Sequence, residues 1–206
     1  MTTRFRLLLA ATAALSLIGP SALAADHEEG AGDINGLMVG GEFAYTRPNG
    51  HDYNNQLDDG LDALHLYVGY RFLGLASFEV GLLEVQAPIK SSSKKAEIRT
   101  LSLDGRIFIP LGSFQPNFLV GYSPSAEFHA SDSGIDQKFH GNSWILGAGA
   151  RFVVVPKFYL TLDVRHSFIR YQKGDITIAG VTVSGTLDSE ARGDVTAVLV
   201  GGGVQF

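Results

Sequence analysis

The chain closes on Val198-Leu199-Val200-Gly201-Gly202-Gly203-Val204-Gln205-Phe206, an alternating stretch that ends on an aromatic residue. In extended backbone successive side chains point to opposite faces. Val198, Val200, Val204 and Phe206 therefore share one face. Leu199, Gly201, Gly203 and Gln205 share the other, which is small or polar apart from the leucine. A soluble protein seldom ends on an exposed phenylalanine at a strand tip. A membrane β-barrel does, because the last strand closes the barrel and sets that side chain at the lipid interface.

The other end of the chain agrees with export. Arg4 and Arg6 precede an apolar run, Leu7 to Ile18, that is too short to span a bilayer. Gly19-Pro20 breaks that helix, and Ala22-Leu23-Ala24 fits the small-x-small cleavage rule. Residues 1–24 are thus expected to be a signal peptide, 25–33 a periplasmic tail and 34–206 the barrel domain. Cleavage would take the formal charge from −5 to −7, because two arginines and no acid leave. No cysteine is present, which rules out disulfides and a lipoprotein anchor. No later segment reaches 18 consecutive apolar residues, so a helical membrane protein is excluded. Twenty-five glycines, thirteen phenylalanines and seven tyrosines fit a membrane barrel of bacterial outer-membrane type.

Period-2 segments recur along 34–206, about eight in all. Their apolar faces carry Leu37, Val39, Phe43 and Tyr45; then Leu64 to Phe72; then Phe78, Val80 and Leu82; then Leu101 to Ile109. Phe118 to Tyr122, Trp144 to Val154, Phe158 to Phe168 and the terminal stretch follow. Gly74-Leu75, Pro110 to Gln115 and Val155-Pro156-Lys157 read as tight turns. Arg47 to Leu61, Gln86 to Glu97, Ser123 to Asn142 and Arg170 to Gly193 read as long polar loops. Short turns on one side and long loops on the other predict an up-and-down, all-β barrel of eight antiparallel strands with both ends in the periplasm.

The second face of these segments carries Glu42, His65, Arg71, Glu79, Asp104, Arg106, Arg151, Asp163 and Arg165, interleaved with glycines. A soluble barrel would expose such charges and bury the apolar rows. Here the charges are expected to face inward, where eight strands leave room only for side chains. Arginine forks suit carboxylates, so the expected interior is a balanced charge network that fills the barrel. A gated ion path through exchanging pairs is the sharper alternative and needs a wider lumen.

The chain resembles the small OmpA/OmpX-like outer-membrane β-barrel family. The likeness rests on LYVGYRF (66–72), SFEVGL (77–82), QPNFLVGY (115–122), WILGAGARF (144–152), LTLDVRHSF (160–168) and the terminal GGGVQF. It implies an eight-stranded barrel with a mostly closed polar interior, and insertion by the barrel-assembly machinery with Phe206 in the recognition signal. It implies no single activity, since members serve structural, adhesive and defensive roles. The peptidoglycan-binding domain of larger members is not expected, because the chain stops at the barrel. The best-supported role is a structural or surface-interaction one, with a narrow solute channel second and a lipid A-modifying enzyme third. Membrane lipids and lipopolysaccharide are the expected surroundings; no cofactor or nucleic-acid partner is expected.

Other chemistry is weighed against plainer readings. His166-Ser167 near Asp163 invites a lipid A deacylase, but adjacent strand residues face opposite ways and cannot readily meet. Lipid A deacylases place the pair one residue apart, and nothing in the loops matches a palmitoyltransferase. Ala25-Asp26-His27, once exposed by cleavage, has the nitrogen spacing of a square-planar Cu(II) or Ni(II) site; an acidic tail is the plainer reading. Asp52, Asp58, Asp59 and Asp62 make the first loop acidic, while Lys90, Lys94 and Lys95 make the second basic. Solvated loops explain both; the sharper reading sets the lysines on lipopolysaccharide phosphates and divalent cations on the acids. Residues 175–184 alternate about Gly180 and predict a hairpin that extends the last two strands or folds over the mouth as a lid.

Overall fold

The computed structural model describes residues 35–49, 57–58, 60–90, 93–132, 134–187 and 191–206. The expected signal peptide and tail, Ala25, Asp26, His27 and the first-loop acids Asp52 and Asp59 lie outside them. The described strands are β1 (Gly36–Asn49), β2 (Gly60–Phe72), β3 (Ala76–Pro88), β4 (Lys95–Phe108), β5 (Phe114–Asp132), β6 (Ile135–Val155), β7 (Phe158–Ile178), β8 (Val181–Thr186) and β9 (Asp194–Gln205). Each of β1 to β7 pairs antiparallel with the next. The ring closes through β7–β9 and β9–β1, giving eight strands around the barrel. The remaining strand, β8, pairs with the far end of β7 and occupies the place that β9 takes lower down.

The alternating rows face as their chemistry requires for a membrane. Phe43 is 76% exposed, Ile107 64% and Phe118 61%, whereas Glu42, Glu79 and Asp104 are fully buried. Hydrocarbon, not protein, covers the Leu/Val/Phe face. Aromatics gather at both ends of these rows. Phe114 and Phe152 pack at 5.0 Å at the turn end, and Tyr122 and Trp144 at 5.0 Å at the other.

Tight turns fix the register at the short-turn end of the barrel. Leu73 and Gly74 both take positive φ (55° and 60°), and Leu75 N donates to Phe72 O at 3.3 Å. Three residues, Leu73, Gly74 and Leu75, thus join Phe72 to its ladder partner Ala76 in a tight hairpin. The predicted hairpin at residues 175–184 is also present, turning through Ala179 and Gly180 at φ 49° and 84°. It extends the end of the barrel wall.

Two expectations need correction. The first concerns Ser123–Asn142 and Arg170–Gly193, which are largely strand rather than loop. β5, β6 and β7 run 19, 21 and 21 residues, whereas crossing the membrane takes about 9–11. The surplus, roughly ten residues or about 30 Å of strand, stands outside the bilayer. There the outer face meets water, so it turns polar while the ladder continues, and such a strand has the composition of a loop. The second concerns the interior, which is not polar throughout. Towards the end where the long strands stand free, Val85, Ile98, Phe128, Phe139, Ile169, Tyr171 and Val195 form a buried apolar core. Phe128 and Phe139 stack at 5.7 Å, and Phe139 lies 5.9 Å from Tyr171. Outside the bilayer the wall obeys the rule of soluble proteins, apolar inside and polar outside. The same strands therefore reverse their polarity along their length.

Candidate functional site

All nine inward charges predicted from alternation are buried, none more than 5% exposed. β4 aims Arg106 at β7, where its Nη1 and Nη2 donate to Asp163 Oδ1 and Oδ2 at 2.9 and 2.8 Å. This is the two-pronged fork that suits a carboxylate. Arg106 Nε also donates to Glu79 Oε1 at 3.2 Å, and Nη1 to Asn117 Oδ1 at 2.6 Å. Arg165 ties together the next tier, donating to Asp104 at 3.3 Å, Glu42 at 3.4 Å and Asp163 at 3.2 Å. His65 completes it: Nδ1 lies 2.8 Å from Glu42 Oε2 and Nε2 lies 3.3 Å from Arg165 Nη1. Because arginine only donates, Nε2 accepts and the His65 proton sits on Nδ1, where it bonds to Glu42.

A glycine stands opposite each acid. Glu42 pairs with Gly201, Glu79 with Gly69, Asp104 with Gly121 and Asp163 with Gly149. A Cβ at Gly69 would lie 2.7 Å from Glu79 Cγ, and one at Gly201 would lie 2.8 Å from Glu42 Cγ. The missing side chains are the space into which the carboxylates lean across the wall. The glycines that interleave the charges in sequence thus seat those charges in space.

Arg71 and Arg151 belong to a separate tier next to the short turns. They stack on the Phe108 ring at 4.2 and 4.6 Å, and Arg151 also lies 4.0 Å from the Tyr159 ring. Arg71 Nη1 donates to Gln115 Oε1 at 2.8 Å and its Nη2 to Gly74 O. Arg151 Nη2 reaches Glu79 at only 4.0 Å, the weak link between tiers. Tyr67 and Tyr159 meet through their hydroxyls at 3.2 Å. Phe108, Asn117, Gln115, Tyr67 and Tyr159 join the site without having stood out in the sequence. Their inward parity would have flagged them, but they carry no formal charge.

The remaining candidates do not assemble. Ser167 is buried inside, whereas half-buried His166 faces out with its Nδ1 2.9 Å from Thr196 Oγ1 and its ring against Phe168. Nucleophile and base therefore sit on opposite sides of the wall. Lys94 pairs with Asp132 at 3.8 Å, while Lys90 is exposed. Among the described residues no group of three or more His, Asp or Glu is placed to hold a metal ion.

A family model described as outer membrane protein beta-barrel domain matches residues 10–206. Comparison with curated protein sequences gives no match. Among solved structures, Neisserial surface protein A is similar with a TM-score of 0.63 at 13% identity, over 82% of this chain and 97% of that one. OprG from Pseudomonas aeruginosa is similar at 0.53 and 19% identity, over 86% and 99%. The N-terminal barrel domain of Pseudomonas aeruginosa OprF follows at 0.52 and 14%, over 84% and 99%. At these identities the likeness is one of fold.

Proposed function

Because this chain belongs to the outer membrane protein β-barrel domain family, and its place is the bacterial outer membrane, we propose that it is a structural and surface-interaction protein with a charge-filled centre. The observation that carries this is the β5–β8 sheet standing above the bilayer. Its last strand, β8, is exposed along all six residues and pairs, among the described residues, only with β7. An uncharged edge of β-branched residues (Val181, Thr182, Val183) can accept an added strand from a partner protein. Lysines at an edge discourage such pairing. Cells producing the protein are expected to adhere to cultured epithelial cells, and T182K/S184K to reduce adhesion to the level of non-producing cells. Unchanged adhesion would remove β8 from the role.

The interior favours occlusion, because two arginines lace four carboxylates across the ring. Planar-bilayer recordings are accordingly expected to show no reproducible steps. A narrow channel is the second reading, favoured by Glu42 Oε1 and Asp104 Oδ1, which are buried without a protein partner. Steps that R106M alters would establish it. The lipid A deacylase reading loses its dyad, since His166 and Ser167 are separated by the wall. For assembly we assign Phe206 to the signal read by the barrel-assembly machinery; its deletion is expected to lower the folded fraction in outer-membrane preparations, and unchanged assembly would refute that assignment.

A further inference from the structure

The outer surface changes character just beyond the extracellular aromatics. Trp144 packs on Tyr122 and stands beside Phe168 in register. One outward-facing step further come Asn142 on β6 and Arg170 on β7, and Arg170 is paired directly with Arg192 on the segment that enters β9. Both arginines are exposed, while their flanking residues Ile169, Tyr171 and Ala191 are buried inside. The two guanidinium stems therefore leave the same outer face, from Cβ atoms about 5 Å apart.

Like charges set directly opposite weaken a ladder unless something anionic lies between them. Asp194, the next outward residue, follows Arg192 by two positions on the same face and is the one acid beside two arginines among the described residues of this connection; Asp188 and Glu190 lie outside them. The opposite arc of the wall is different. There Arg99 sits between Glu84, at 3.4 Å, and Glu97, with Glu127 its partner on β5. Among the described residues the collar above the membrane is thus electrically lopsided.

We propose that Arg170 and Arg192, with Asn142 beside them, form a binding site for a phosphate group of an outer-leaflet glycolipid. Guanidinium forks match phosphate oxygens two at a time. Height selects the lipid as the source. The pair stands about 7 Å of strand beyond the Trp144–Phe168 row, and aromatic girdles mark headgroup level. Both side chains leave the outer face of the wall, the face that meets lipid lower down. This inference rests on the membrane location and not on the β8 reading.

The test is native mass spectrometry of the full-length barrel in detergent with added diphosphoryl lipid A. Wild type is expected to carry one lipid A adduct. R170Q/R192Q should raise the apparent Kd by at least about tenfold, the scale of losing charge-assisted hydrogen bonds, while R99Q leaves it unchanged. Lipid A stripped of its phosphates should bind wild type no better than lipid A binds the double variant. Trp144, the only tryptophan of the chain, should shift its fluorescence in the same titration. Should R170Q/R192Q fail to migrate as a folded barrel on unboiled gels, R192Q alone carries the comparison. Equal binding by the arginine variant, or indifference to phosphate, overturns the proposal. So does equally tight binding of a phosphorylated oligosaccharide that lacks acyl chains, which would assign the arginines to soluble anions.

Discussion

Replacing Arg106 with methionine is expected to destabilise the barrel by about 3–5 kcal/mol, the usual cost of stranding a buried partner charge. Arg106 is 2% exposed and holds both oxygens of Asp163 as well as Glu79 and Asn117. Methionine fills much of the same volume but leaves two carboxylates without their main cation. The double variant R106M/D163N should recover part of the loss, because one stranded charge is then gone. Urea unfolding of the liposome-inserted protein, followed by the folded and unfolded bands on unboiled gels, measures both. A loss below about 1 kcal/mol for R106M would mean that water already solvates this tier, and would shift the case towards the channel.

Gly69→Ala should cost about 3 kcal/mol, the upper part of the range for overpacking, although it adds a single methyl group. The new Cβ would lie 2.6 Å from Phe78 O and 2.7 Å from Glu79 Cγ. Backbone cannot yield without opening the β2–β3 ladder, and Glu79 cannot yield without leaving Arg106. Gly105→Ala on β4 is the matched control, since its Cβ would meet nothing nearer than Val120 O at 3.8 Å; a small change is expected there. The same unfolding assay separates the two variants. If Gly69→Ala unfolds with wild type, the carboxylates are not confined by their glycine seats.

These two residues show how far alternation reaches. Which face Arg106 takes is a local property: every second side chain of a strand points the same way, so His65, Asp104 and the rest could be assigned inward one segment at a time. The tight turn at Gly74 and the eight-stranded count were legible for the same reason. Which carboxylate Arg106 grips was not legible. Asp163 lies 57 positions away, and the two meet only because closure of the ring brings β4 and β7 to facing sides of one narrow lumen at the same height. Glycine seating is of this kind too, since Gly69 lies under Glu79 only through the β2–β3 register.

Polarity misled where the solvent changed along a strand. Ser123–Asn142 reads as loop because its outward residues are hydrophilic, yet Phe128 and Phe139 show that the inward row continues. Linear pattern reports the contrast between two faces but not what lies outside each, lipid below or water above. The pairing of Arg170 with Arg192 is equally invisible in linear order, being a product of how β7 meets the chain returning from β8. Alternation and charge thus sufficed for a lipid-facing barrel with ionised residues within. Neighbouring strands, register and height above the membrane settled the rest, because those depend on contacts between segments far apart in the chain.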